Sequence, residues 1–120
     1  MTTLELARDF ANILKRHDHD GAAAKYNAED IVSYEAMEGP MAVCRGKANV
    51  KAKGDWWQAN HEVHGGTVEG PYVNGDQFVL RFTMNITAKE TGQRMTLDEV
   101  GVYTVKNGKI VEERFCYLDA

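Results

Sequence analysis

Apolar and polar residues alternate almost without fault between Gln77 and Thr87, which predicts a long β-strand. Side chains on a strand point alternately to its two faces, so this strand has one dry face and one polar face. Two more strands are predicted over residues 95–105 and 109–118. The pairs Asn74-Gly75 and Asn107-Gly108 predict tight hairpin turns, because both residue types tolerate positive φ. The apolar positions of the first strand are Phe78, Leu80, Phe82, Met84 and Ile86.

The residues that precede this sheet predict three helices. Apolar residues three and four positions apart predict a first helix, which Thr2 or Thr3 can cap and which ends near His17. A short second helix is predicted over residues 21–26, after a cap at Asp20. A third is predicted over residues 47–60, where Gly54 lowers the helix propensity.

Two further strands complete the predicted fold. One is short and spans residues 31–36, and the other spans residues 61–72, where several glycines indicate bulges that bend a sheet. Helices followed by a run of antiparallel strands predict an α+β fold, with three helices packed on one face of a bent, mainly antiparallel sheet. We expect the 120 residues to form a single domain over residues 1–120.

Composition excludes several classes of function. The net charge is −4 and no basic stripe is present, so we expect no nucleic acid partner. No apolar segment approaches the ~20 residues that span a bilayer, and the amino terminus lacks a signal-peptide core, so we expect no membrane partner. Cys44 and Cys116 have no metal-type spacing and are interpreted as free thiols of a cytoplasmic protein.

The middle strand of the sheet carries two neighbouring carboxylates, and only one of them can face a pocket. We expect Asp98 to do so because it shares its face with Val100 and Val102, if those valines point inward. Glu99 is then expected on the other face. The alternative for Asp98 is a strand-end charge paired with an outer Arg or Lys.

His61 follows Trp56-Trp57 and begins a predicted strand. Its proton affinity needs little tuning near neutrality, so it is a candidate for a role in the pocket, with a surface role as the alternative. His64 lies three residues further on and would face the opposite side, so no metal site is expected. The adjacent tryptophans cannot both face the core, and we expect Trp57 to line the pocket.

Several short motifs, most of which encode turns, are spread along the whole chain. They are Asp20-Gly21, Arg45-Gly46, Val73-Asn74-Gly75-Asp76, the run from Asn107 to Glu113, and Tyr117-Leu118-Asp119. In this order they resemble the motifs of the nuclear transport factor 2-like superfamily, and within it those of the polyketide cyclase (SnoaL-like) group.

The resemblance implies a cone-shaped α+β roll with a pocket at its open end, and a homodimer that packs through the outer sheet face. Glu35 falls where the steroid isomerases of this superfamily carry an Asp base, although a one-residue shift would place Tyr34 there instead. Phe10 falls at the position of their oxyanion Tyr, and Val100 falls near their second donor. Because neither residue has a donor group, steroid isomerase activity is not expected.

Two functional hypotheses follow. The first is a cofactor-independent isomerase, dehydratase or cyclase that acts on a small apolar carbonyl compound, using Glu35, Asp98, His61 and Tyr34. The alternative is a non-catalytic ligand-binding or dimerisation module of the same fold. The residues expected to line the substrate pocket are Phe10, Trp57, Phe82, Val100 and Tyr117.

Overall fold

The structure, a computed structural model, describes residues 1–118, in which three helices pack on a six-stranded sheet. Asp119, the last residue of one sequence motif, and the carboxyl end of the predicted domain lie outside the described residues. The helices are α1 (Thr3–Lys15), α2 (His19–Tyr26) and α3 (Lys47–Asn60). The strands are β1 (Asn27–Tyr34), β2 (Val43–Arg45), β3 (His61–Asn74), β4 (Gln77–Ala88), β5 (Arg94–Lys106) and β6 (Lys109–Tyr117).

The sheet has the order β2-β1-β6-β5-β4-β3. Only the β1–β6 pair among the described strands is parallel, and every other pair is antiparallel. The predicted α+β roll is therefore confirmed, as a mixed sheet that is not closed into a barrel.

Both predicted Asn-Gly turns form hairpins. Lys106 pairs with Lys109, and the two residues between them are Asn107 and Gly108, with φ of 53° and 73°. Positive φ at both central residues matches the right-handed twist of the flanking strands, which is why this dipeptide favours a two-residue hairpin. The β3–β4 hairpin differs, because Asn74 pairs with Gln77 as a strand residue and the two residues between them are Gly75, with φ of 62°, and Asp76.

Helix α1 supplies much of the core. Thr2 caps it, because its hydroxyl accepts from the backbone N–H of Glu5 while the Glu5 carboxylate accepts from the backbone N–H of Thr2. The spacing of three and four residues predicts a buried stripe of Leu4, Ala7, Phe10, Ala11 and Leu14, and all of these except the exposed Leu4 are buried, together with Leu6 and Ile13. The aromatic ring of Phe10 reaches from this stripe to Phe78 on the sheet.

Strands β1 and β2 correct the predicted boundaries. Strand β1 begins at Asn27 and ends at Tyr34, earlier than the predicted strand over residues 31–36. Strand β2 was not predicted, because three residues carry no alternation of their own and pair only with β1. The bulges expected in β3 are confirmed, since its register against β4 shifts between Val63 and Gly65 and again between Glu69 and Tyr72.

The register across β4, β5 and β6 assigns side chains to the two faces of the sheet. Phe82 pairs with Glu99, which pairs with Tyr117, so these three side chains share the face that α1 covers. Thr83 pairs with Asp98 on the outer face. A homodimer through the outer face stays a prediction. Among residues 1–118, no helix is long and apolar enough to cross a membrane.

We predict that Gly66→Ala destabilises the protein by roughly 1–3 kcal/mol, because an added Cβ would lie 2.4 Å from the Thr83 carbonyl oxygen on β4. Gly65→Ala is the matched control, since nothing lies within 4 Å of an added Cβ at the neighbouring position. Urea unfolding of both variants measures the difference. Equal stability of the two variants would contradict this account of the close β3–β4 contact.

Candidate functional site

A cavity of about 1040 Å³ lies between the helices and the inner face of the sheet. Phe10, Trp57, Phe82 and Tyr117, which the sequence marks as pocket residues, line it. Val100 does not, because its register partners Arg81 and Cys116 place it on the outer face. Most of the remaining walls are apolar and come from Leu14, Val68, Met84, Ile86, Met95, Leu97 and Phe115.

One end of the cavity holds an ion pair between Glu35 and Lys53. Glu35 directly follows β1, and Lys53 reaches it from α3, with Nζ 3.0 Å from Glu35 Oε1. The side chains are only 16% and 11% exposed. The Tyr117 hydroxyl donates to the other carboxylate oxygen at 3.1 Å, and Lys53 also donates to the Ser33 hydroxyl at 2.5 Å. Both oxygens of Glu35 are therefore held in place.

Glu99 lies on the same inner face and is the acid most altered by its surroundings. The pKa of the Glu99 carboxyl is raised to about 7, chiefly by burial and then by the Glu35 carboxylate, while the Lys53 ammonium opposes both. A carboxyl group with this pKa exists in both protonation states at neutral pH. It can therefore accept or donate a proton under ordinary conditions.

Glu113 and Tyr103 complete the polar part of the cavity. Burial raises the pKa of the Glu113 carboxyl, against the lowering effects of Lys53 and the Ser33 hydroxyl. Tyr103, its register partner on β5, has a pKa raised well above the usual value by burial and by the neighbouring carboxylates, so it stays protonated. Three carboxyl groups thus share one ammonium group at this end of the cavity.

His61 lies at the junction of α3 and β3 and lines the cavity. Its ring stacks on Trp57, with ring centroids 4.5 Å apart, and Nδ1 lies 2.8 Å from the Trp57 carbonyl oxygen. A carbonyl oxygen only accepts, so Nδ1 carries a proton in this contact. The nitrogen left to meet a ligand is Nε2.

Two predicted catalytic residues lie outside the cavity. Asp98 is on the outer face, where Arg81 donates to it from Nε at 3.0 Å and from Nη2 at 2.8 Å. The expectation that it shares the pocket with Val100 is wrong, because the inward set on β5 has the opposite parity. Tyr34 also faces outward, with the Arg114 guanidinium 4.0 Å from its ring centroid.

Sequence reasoning missed Lys53, Glu99 and Glu113 as members of the site. A signal for Glu99 was present, because Met95, Leu97 and Tyr103 are bulkier than the valines on the other parity and mark the inner face of β5. Register then carries Glu113 inward, opposite Tyr103. Lys53 had no comparable signal, since a lysine on an amphipathic helix usually faces water.

Within residues 1–118, no three His, Cys, Asp or Glu side chains are arranged to hold one metal ion. Glu35 contacts the Lys53 ammonium and the Tyr117 hydroxyl, Glu113 interacts with the Ser33 hydroxyl, and Glu99 lies within the electrostatic influence of Lys53. This donor set is suited to proton transfer and hydrogen bonding.

The bent sheet, the three helices and the cavity define the class of cone-shaped α+β rolls. The sequence model of the SnoaL-like domain family matches residues 1–117, and the chain belongs to that family. No curated protein sequence matches the chain.

Solved structures agree with this assignment. A Mesorhizobium loti protein, named as a proposed SnoaL-like polyketide cyclase and also as a carbohydrate phosphatase, is 68% identical with a TM-score of 0.96, covering 98% of this chain and 100% of that chain. A nuclear transport factor 2-like protein from Burkholderia thailandensis is 20% identical with a TM-score of 0.82, covering 98% and 91%. A proposed isomerase from Bacillus subtilis is 18% identical with a TM-score of 0.76, covering 98% and 89%. The last two share the fold alone.

We predict that the Glu99→Gln variant gains stability relative to the wild type as the pH rises. Between the unfolded pKa near 4.5 and the folded pKa of about 7, the folded protein keeps a proton that the unfolded chain has lost, so wild-type stability falls across this window. Glu99→Gln removes this titration. The unfolding free energy of the variant relative to that of the wild type should therefore be higher at pH 8 than at pH 4, by on the order of 2–3 kcal/mol. Urea unfolding across this pH range measures the change.

Asp98→Asn is the matched control for Glu99→Gln. Hydrogen bonds from Arg81 lower the pKa of the Asp98 carboxyl, so its contribution is present above the unfolded pKa and is lost as pH falls. The variant should therefore be slightly less stable than the wild type at neutral pH, the opposite sign. A Glu99→Gln curve parallel to that of the wild type from pH 4 to 8 would contradict the raised pKa.

We predict that Lys53→Met raises the pKa of Glu99 above about 7, because it removes the ammonium that opposes this shift, and that Glu35→Gln lowers it. Carbon-13 NMR titration of the Glu99 carboxyl measures both. Lys51→Met is the control, since Lys51 also lines the cavity but pairs with Asp55. Equal shifts in the two lysine variants would show that the Lys53 contact does not set this pKa.

Proposed function

We propose that this protein is a cofactor-independent enzyme of the isomerase, dehydratase or cyclase kind, acting on a small, largely apolar carbonyl compound. The observation that carries the proposal is the Glu99 carboxyl, with a pKa of about 7, inside an apolar cavity of about 1040 Å³. Perturbed carboxyl groups in apolar cavities are a property of acid–base active sites.

In the proposed reaction, Glu99 moves the proton. Its carboxylate form accepts a proton from a carbon atom next to the substrate carbonyl, and its protonated form returns that proton to a different carbon or to a leaving oxygen. A pKa near neutrality supports both steps, since neither form is scarce at working pH. An isomerisation, an elimination of water and an aldol-type ring closure all begin with this abstraction.

Glu35 has a different proposed role, because both of its oxygens are already engaged by Lys53 and Tyr117. It holds Lys53 and Tyr117 in place and keeps the pKa of Glu99 high through charge repulsion. His61 offers Nε2 to orient the substrate at the wall formed by Trp57.

The charge of the cavity bears on the substrate class. At the polar end of the cavity, three glutamates and a lysine that is already paired favour an uncharged substrate over a phosphate ester. The cyclase part of the Mesorhizobium loti relative's name fits this electrostatic environment better than the phosphatase part.

The alternative function is ligand binding without catalysis. Phe10 falls at the position that the oxyanion Tyr occupies in the steroid isomerases of the resembled superfamily. It carries no hydroxyl group, and its ring packs edge-on against Tyr103. This observation favours a cavity that holds its ligand by apolar contact alone. The deuterium-exchange experiment described next distinguishes catalysis from ligand binding without catalysis.

The test is deuterium exchange at carbon atoms next to the carbonyl of 1-tetralone and 2-tetralone, followed by proton NMR. We expect the wild type to catalyse exchange in at least one ketone, with a rate that rises with pH through about 7 as the Glu99 carboxylate forms. Glu99→Gln should lower the rate by roughly 100-fold or more, because it removes the acid–base group.

Asp98→Asn is again the control, since this residue faces away from the cavity and should leave the exchange rate unchanged. Ketone binding without exchange above the buffer rate would favour the non-catalytic alternative. Equal losses of rate in Asp98→Asn and Glu99→Gln would remove Glu99 from the mechanism.

A further inference from the structure

Tyr103 is held rigidly by three aromatic neighbours and is only 3% exposed. Its ring stacks on Phe78, with centroids 4.8 Å apart, and meets Phe10 edge-on at 5.1 Å and Phe115 edge-on at 6.3 Å. Contacts on several sides leave the ring one position, so the direction of its hydroxyl group is fixed by packing.

Gly101 creates the space that this ring occupies. A Cβ added at Gly101 would lie 2.8 Å from both the hydroxyl oxygen and Cε2 of Tyr103. The ring therefore lies along β5 over residue 101, towards Glu99 on the same face. A side chain at position 101 would displace the phenol, so the absence of one at Gly101 allows the Tyr103 ring to lie where it does.

The Tyr103 hydroxyl has no hydrogen-bond partner among residues 1–118. No fully buried side-chain oxygen or nitrogen in this part of the chain is left unpaired, so the hydroxyl must retain contact with the cavity that Tyr103 lines. The other cavity phenol, Tyr117, is already occupied by Glu35. Because this hydroxyl is open to the cavity, it can donate to a ligand oxygen, whereas a ligand that covered it without an acceptor would leave it buried and unpaired at a cost in free energy.

We infer that the Tyr103 hydroxyl is the anchor that donates a hydrogen bond to an uncharged oxygen of the ligand, a ketone carbonyl in particular. An anionic oxygen does not fit, because Glu35, Glu99 and Glu113 all lie near this hydroxyl and Lys53 is engaged by Glu35 and Ser33. A hydrocarbon does not fit either, since it would leave the donor unpaired.

This inference rests on the same cavity as the proposed function and deepens it by naming the atom that binds the substrate oxygen. If catalysis occurs there, a donor on β5 takes the place of the missing donor on α1. Phe10, which lacks the hydroxyl, instead packs against the ring that carries one. The binding role of Tyr103 and proton transfer by Glu99 are separate proposals, and each can be contradicted without the other.

The test compares the binding of three probes of similar size: 1-tetralone, the hydrocarbon tetralin, and the anion 1-naphthoate. Tryptophan fluorescence reports binding, because Trp57 lines the cavity. We expect the wild type to prefer 1-tetralone over both other probes. Tyr103→Phe, which removes only the hydroxyl, should weaken 1-tetralone roughly fivefold to tenfold and leave tetralin unchanged.

Infrared spectroscopy of carbonyl-labelled 1-tetralone gives a readout that general loosening of the cavity would not produce. The carbonyl stretch should move to lower frequency in the wild type and return towards its value in an apolar solvent in Tyr103→Phe. Tyr26→Phe is the matched control and should keep the low-frequency band, because that buried phenol donates to Asp9 and does not line the cavity. Thermal unfolding of each variant checks that the fold is retained.

Three results would overturn the anchor: no binding of 1-tetralone to the wild type, equal binding of ketone and hydrocarbon, or a carbonyl stretch that Tyr103→Phe leaves unchanged. A hydrogen-bonded ketone without deuterium exchange would keep the anchor and contradict only the catalytic proposal. Exchange that persists in Tyr103→Phe with an unchanged carbonyl band would keep catalysis and contradict only the anchor.

Discussion

The register of β5 between β4 and β6 is the constraint on which the site depends. Pairing of Phe82 with Glu99 and of Glu99 with Tyr117 places a carboxyl group on a face that is otherwise apolar. The next inward positions along β5 are Gly101 and Tyr103. Strand β5 therefore contributes to the site the carboxyl group of Glu99, the open space at Gly101 and the phenol of Tyr103. A slip of one residue would exchange Glu99 for Asp98 and move the whole set to the outer face.

This arrangement costs stability, and the surrounding core offsets the cost. Half-buried carboxyl groups lose hydration, which is why the pKa values of Glu99 and Glu113 are raised. The single ammonium of Lys53 compensates only part of the negative charge. Next to these groups, Phe10, Phe78 and Tyr103 form a continuous aromatic cluster between α1 and the sheet, and its packing stabilises the fold around them.

Local sequence signals predicted much of the fold. Asn107-Gly108 specifies its hairpin through backbone preference alone, and the Thr2–Glu5 box specifies the start of α1 through side-chain hydrogen bonds. The glycines of β3 marked its bulges. Strand β2 escaped prediction, because Val43–Arg45 is too short to show a period and exists only through pairing with β1. The physical cause of strand β2 is therefore its pairing with β1, a different segment of the chain.

For the candidate site, the sequence by itself determined that apolar walls would surround a few polar groups, and it placed Glu35, His61 and Tyr117 among residues that now line the cavity. Strand alternation says that Asp98 and Glu99 point apart but does not say which of them is inside. The bulkier residues on the Glu99 parity were a sequence signal, and the tertiary structure decided the question. It also brought Lys53 from α3 to Glu35 and left the Tyr103 hydroxyl at the cavity without a partner among residues 1–118. Burial, charge pairing and the absence of a hydrogen-bond partner are relations between segments far apart in sequence, and they arise only when the chain has folded.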